Sequence, residues 1–232
     1  MAFMSSVYGG GCNSLGIIKF QMPMSDFLGT AKTYSVLGTN FGNSGATSVN
    51  WDVGVGNTNP LTLTGNIVGT AITVGGATEL NSEKVMRAML DAKRGYEAFR
   101  AMAATGTGSG TVTGDLAGLT LGPGVYRSDA VMSNSGNFVL DGQNDPSAVF
   151  VFQTEAAYSP AISSSTTLIR GANAKNVYFQ IGGAMSAGAS AILVGNFICA
   201  GNMTLGAAAM VQGRLVAYQG MINFSANVVT TT

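Results

Sequence analysis

The stretch 185–202, MSAGASAILVGNFICAGN, is followed at once by 203–220, MTLGAAAMVQGRLVAYQG, and the two say nearly the same thing at an offset of eighteen. Gly188 falls on Gly206, Gly195 on Gly213, Met185 on Met203 and Ala191 on Ala209. The offset continues through Ile192, Met210 and Val228, whereas Met203 and Thr204 match Ile222 and Asn223 only with one residue inserted. A unit this short cannot enclose a core alone, so its copies must stack. A period near eighteen, β-rich and cornered by glycine, predicts three short strands per coil of a β-solenoid.

Composition decides what such a stack presents to water. Hydrophobic residues are 46% of the 232-residue chain and charged residues only 9%, against about 25% charged in ordinary domains. Its surface must therefore be built from Ser, Thr, Asn, Gly and Ala. Eleven basic and 11 acidic residues cancel, which gives no electrostatic footprint for nucleic acid or an anionic membrane. No apolar run reaches the roughly 18 residues that span a bilayer. The sequence thus predicts a soluble chain without nucleic-acid or membrane partners. Cys12 and Cys199 are the only cysteines, too few for a disulfide framework or a metal-ligand cluster, and Cys199 in NFICAG reads as a buried thiol. No cofactor is implied. The opening MAFMSSVYGGGCNSLGIIKF lacks the basic and continuous apolar regions of a secretory signal.

One segment breaks the β pattern. In NSEKVMRAMLDAKRGYEAFRAMAAT, Val85, Met89, Ala92, Tyr96, Phe99 and Ala103 recur at steps of four and three, which predicts one helix over about 82–104 with a single apolar stripe. Asn81 or Ser82 is placed to cap its start, and the glycines at 106, 108 and 110 to end it. A helix of about 23 residues would run roughly 35 Å, the height of about seven coils. The stripe needs a sheet that is apolar on both faces. AVFVF (148–152), NVYFQI (176–181), NFICA (196–200) and RLVAY (214–218) are continuous apolar runs of that kind.

LGTAKTYSVLG (28–38), DLAGLTLGPGVY (115–126), LDGQNDPSAVFVFQ (140–153), NVYFQIG (176–182) and VGNFICAGNMTLGAAAMVQGRLVAYQG (194–220) closely resemble the large microbial ice-binding protein family. The order matches too, with the long helix between early and late coils. The resemblance runs over roughly 26–230, leaving 1–25 as an N-terminal extension before a single domain, 26–232. It implies an all-β solenoid, a right-handed discontinuous β-helix of triangular section with one long α-helix alongside. It also implies a secreted, non-enzymatic protein that adsorbs to the ice crystal surface as a monomer, with a dimer left open.

Family members bind through a flat solenoid face, and alternation in the strands points to one face here. STTLIRG (165–171), SAILVG (190–195), AAMVQG (208–213) and NVVTT (227–231) form the third strand of successive coils. Ile169, Leu193, Val211 and Val229 are taken as inward, and side chains alternate along a strand. Leu168, Ile192, Met210 and Val228 then point outward, with Arg170, Val194, Gln212 and Thr230 two along and Thr166, Ser190 and Ala208 two before. The early coils add Thr47, Ser48 and Asn50, with Thr62 and Thr64. Many family members carry Thr where Ile192, Met210 and Val228 stand, so this face is expected to be more hydrophobic. Ser186, Thr204 and Asn223, with Ala184 and Asn202, form a rival surface on the second strands.

Two other classes are weighed against this. A carbohydrate-active β-helix enzyme needs paired carboxylates or an acid with a basic partner, but Asp115, Asp129, Asp141, Asp145 and Glu155 are scattered near corners. With no histidine in the chain, Ser-His-Asp and Cys-His arrangements are absent. A glycan-binding adhesin or matrix module would use the same fold with aromatic platforms, yet Trp51 is the lone tryptophan and is expected to pack in the early coils. An outward apolar line is also what a dimer interface looks like.

Overall fold

The computed structural model describes residues 24–56, 67–69, 72–106 and 110–231. Every strand pairing in it is parallel. The predicted offset is the observed register: Met185 pairs with Met203, Ile192 with Met210 and Met210 with Val228. Met203 pairs with Ile222, so the additional residue lies in the turn after Tyr218, as the sequence comparison requires.

Each coil contributes one strand to each of three faces. Face A consists of Gly124–Ser128, Phe150–Thr154, Val177–Ile181, the later halves of Ile192–Cys199 and Met210–Ala217, then Val36–Gly38, Val53–Val55 and Thr78–Leu80. Face B holds Met132–Asn134, Tyr158–Pro160, Met185–Ala187, Met203–Leu205, Ile222–Phe224, Phe41–Asn43 and Ile67–Gly69. Face C holds Thr120–Leu121, Asn137–Asp141, Ser165–Ile169, the early halves of Ile192–Cys199 and Met210–Ala217, then Val228–Thr230, Thr47–Val49 and Ile72–Val74.

The order along the stack is not the order along the chain. The first coil, 36–49, sits on the last, 214–230, and the chain then runs outward to Thr78–Leu80. Helix α1, Glu83–Arg100, follows that strand and leads to the coils that begin at the other end. This makes the solenoid discontinuous, with a seam between sequence-distant strands. Asn227 is fully buried at the seam, where its backbone N–H donates to Thr47 Oγ1 (3.2 Å) and its Nδ2 to Gly206 O and Ala209 O. Thr47 Oγ1 passes the link to Asn43 Oδ1 at 2.7 Å.

The helix is shorter than the periodicity predicts. It ends at Arg100 with Ala101 as its cap, not near 104, and 18 residues span about 27 Å. Ser82 caps its start by accepting from the Val85 N–H, an arrangement that contributes about 1 kcal/mol. Val85, Met89, Ala92, Tyr96 and Phe99 are buried as the stripe requires, while Ala103 lies past the end and is exposed. The stripe rests on Val151, Tyr178, Ile198 and Val216, all from the runs that are apolar on both sides. Phe99 stacks on Tyr178 at 4.8 Å and Tyr96 tilts against Tyr218 at 5.2 Å.

Inside the stack, identical inward positions pile up. Tyr126, Phe152, Phe179 and Phe197 form a column with centroid spacings of 5.4, 4.7 and 4.7 Å. Each such pair adds about 0.5–1.5 kcal/mol beyond the area it buries. The repeated glycines have a geometric reason. Gly213 has φ 146°, and a Cβ there would fall 1.9 Å from Gly195 O in the coil beneath; no side chain fits where the chain turns from face C to face A.

Candidate functional site

Face A is covered by α1, which leaves B and C for contact with anything external. On face C the parallel register builds one central row across seven strands: Asn137, Ser165, Ile192, Met210, Val228, Ser48 and Thr73. At roughly 4.8 Å per strand the row is about 29 Å long. Its middle is apolar and open, with Ile192 at 46%, Met210 at 49% and Val228 at 38% exposure. Its two ends are polar. The row crosses the seam, so residues from both ends of the sequence share one surface.

A second row runs beside it through Gln212 and Thr230, with Asn50 next in line, and through Thr120, Val139 and Thr167 on the far coils. Gln212, Asn50, Thr120 and Thr167 are exposed and Thr230 is half-buried. A corner column precedes the central row: Ser163, Ser190, Ala208 and Ala226 all take left-handed backbone, φ 51–59°. Each turns the chain from face B to face C and is exposed.

Several outward positions expected from the sequence are not outward. Thr166 is buried, Leu168 is half-buried against the core, and Ile169, taken as inward, is 38% exposed. The cause is three additional residues before this corner, since six steps separate Ser165 from Gly171 but three separate Ile192 from Gly195. Ser165, not Leu168, pairs with Ile192, and both Arg170 (φ 45°) and Gly171 (φ 87°) are left-handed where the next coil turns with Gly195. Counting back from the glycine therefore slips by three, an odd number, and inverts the face of every side chain in the strand. Val194 is also buried, at 4%; it stands next to the Gly195 corner, where Asn196 Nδ2 ties the turn Ala174–Asn176 to the same strand. Thr62 and Thr64 lie outside the described residues. Trp51 is 54% exposed at a corner and does not pack in the early coils.

The structure adds Asn137, Ser165, Thr167, Thr120 and Thr73 to the face. Asn137 Oδ1 accepts from both Ser165 Oγ and Thr167 Oγ1 at 2.9 Å, which fixes those hydroxyls in place. The alternation in NFVLD and AITV was the available signal for Asn137 and Thr73. No charged side chain stands in either row. Eight of the charged side chains lie on α1 instead, and the ion pair nearest face C, Arg170 with Asp141, sits at its edge. The Arg170 guanidinium holds the Asp141 carboxyl below the usual carboxylate range.

Face B presents a narrower column in which Ser133, Ser159, Ser186, Thr204 and Asn223 point outward. Asp115 joins it beside Ser133 through an isolated bridge. Its outward side chains are small and polar, and the exposed apolar groups nearest it, Val131 and Ile162, stand in the turns flanking its strands.

A family model described as ice-binding-like matches residues 36–230. Among curated relatives, an ice-binding protein from Nostoc sp. (strain HG1) is 36% identical over 117 residues, which is 50% of this chain and 43% of that protein. Ice-binding protein 1 of Shewanella frigidimarina (strain NCIMB 400) is 36% identical over 118 residues, 50% of this chain and 13% of its own length. This chain thus matches less than half the length of either. The crystal structure of an ice-binding protein from the Antarctic ascomycete Antarctomyces psychrotrophicus superposes with a TM-score of 0.80 at 30% identity, covering 88% of this chain and 96% of that one.

Proposed function

We propose that this chain, which belongs to the ice-binding-like family, is a non-enzymatic antifreeze protein that adsorbs to ice through face C. The observation that carries the assignment to this face is the seven-strand central row: regular, free of charge, apolar at its middle and hydroxyl- or amide-bearing at its ends. Parallel stacking fixes the repeat at roughly 4.8 Å. Short Ser, Thr, Ala and Val side chains lose little rotamer entropy when held against an ordered surface. Apolar groups flanked by hydroxyls bind water weakly but order it, and that layer merges with the crystal lattice. The pinned front must then grow with higher curvature, which lowers the freezing point, shapes the crystal and slows recrystallisation. A charge in the row would hold its own hydration shell and break the layer.

The protein acts outside the cell as a monomer, with residues 26–232 forming one adsorbing domain and 1–25 an extension from it. Ser48, Asn50, Ser190, Ile192, Ala208, Met210, Gln212, Val228 and Thr230 make the contact, joined by Asn137, Ser165 and Thr73.

The test is ice growth in a nanolitre osmometer with wild type, Met210→Tyr and Thr204→Tyr. Face C predicts that Met210→Tyr loses most of the thermal hysteresis with an unchanged circular-dichroism spectrum, because the ring lifts the plane off the ice, and that Thr204→Tyr keeps it. The reverse pattern moves the site to face B. A wild type with no hysteresis, no shaping and no block on recrystallisation, yet retained on a polysaccharide column, is a glycan-binding module on the same fold.

A further inference from the structure

The middle of the face C row is a thioether, which can be oxidised; its apolar neighbours Ile192 and Val228 cannot. We infer that Met210 is a peroxide-sensitive modification site and that its sulfoxide weakens adsorption, an inference that rests on the face C reading above. Among the methionines whose side chains are described, Met210 alone is exposed, at 49%. Met89, Met102, Met132, Met185 and Met203 are 0–6% exposed, and Met86 and Met221 are half-buried. Oxidants reach methionine sulfur in order of access, so one residue is singled out.

The step is a two-electron oxygen transfer. The Met210 sulfur lone pair attacks one oxygen of hydrogen peroxide, the O–O bond breaks and an S–O bond forms. The second oxygen leaves as hydroxide and recovers a proton to become water. The thioether is oxidised to the sulfoxide and the peroxide is reduced. The product is polar and a strong hydrogen-bond acceptor, set between Ile192 and Val228 in the register. It holds a hydration shell where the row must order water loosely, as a charge there would.

The experiment treats the full chain with limiting hydrogen peroxide, maps sulfoxides by peptide mass spectrometry and measures thermal hysteresis on the same samples. Met210 sulfoxide is expected to accumulate before any other described methionine, with hysteresis falling severalfold in step and circular dichroism constant. Met210→Leu, compared with its own untreated level, is expected to keep its hysteresis through the treatment. Equal or earlier oxidation of Met221, Met86 or the buried methionines overturns the inference, as does an equal loss in Met210→Leu. If Met210 sulfoxide forms fully without effect while Met210→Tyr abolishes hysteresis, the modification is overturned and face C stands. If neither change matters, face C is wrong and the inference falls with it.

Discussion

Residues 165–171 show how fine the margin is at the scale of a side chain. In STTLIRG the apolar pair Leu168 and Ile169 sit on adjacent positions, so alternation alone allows either to face inward. Packing decides it: Leu168 packs against the core and Ile169 stands 38% exposed. Leu168→Ser should therefore lower stability by about 1–3 kcal/mol, and Ile169→Ser by no more than about 0.5 kcal/mol, read as thermal midpoints of otherwise identical chains. The opposite order would restore the register that glycine alignment implies. Ile192, Met210 and Val228 were legible because each alternates with a buried neighbour, Leu193, Val211 or Val229. Ser165 and Thr167 were not, because the strand runs three residues further to its glycine than its neighbour does, and no compositional mark shows it.

Among the elements, α1 was legible from its stripe, and its length was not. The stripe continues in sequence to Ala103, but the helix stops where Gln153 meets it. The side chain of Gln153, buried to 2%, donates from Nε2 to Phe99 O and, at 3.0 Å, to Met102 O. The sheet thus satisfies carbonyls that another helical turn would have used. Gln153→Leu takes the donor from Met102 O, while Phe99 O keeps the Met102 N–H, and should cost about 1–3 kcal/mol, seen as a lower urea midpoint. An unchanged midpoint would show that Gln153 does not hold the helix end. At the other end Glu79 accepts from Lys84, Tyr34 and Ser82, so the last strand before the helix and the helix start are fixed together.

For the whole molecule, ionisation sets the range in which the stack is stable. Hydrogen bonds from Ser135 hold Asp115 below the usual carboxylate range, Arg170 does the same for Asp141, and Lys84 for Glu79. A depressed carboxyl contributes stability above its unfolded value, and that contribution is lost as pH falls through the folded one. At the alkaline end, burial pushes the Cys199 thiol up from 9.0 to about 12 and the Tyr218 hydroxyl from 10.0 to about 12. Unfolding then releases protons, so stability falls as pH rises above 9.0. With no histidine to titrate between, the thermal midpoint should be flat from the carboxylate range up to about pH 9 and fall on both sides. Cys199→Ala should delay the alkaline fall; an inflection near neutrality would contradict this account.

The chain's period, its glycine corners and its one amphipathic helix were enough to determine a three-faced solenoid with α1 along one side. These are local properties: a strand's alternation and a helix's stripe are written in consecutive residues, and a corner that admits no Cβ demands glycine wherever it recurs. Two things were decided only in three dimensions. One is the seam, where Val228 meets Ser48 and Asn227 meets Thr47 across some 180 positions, since no local pattern says that the last coil packs under the first. The other is the extent of face C, which depends on how neighbouring corners stack: the three additional residues before Gly171 and the turn folded beside Val194 change which side chains reach the surface without changing the repeat that the sequence displays.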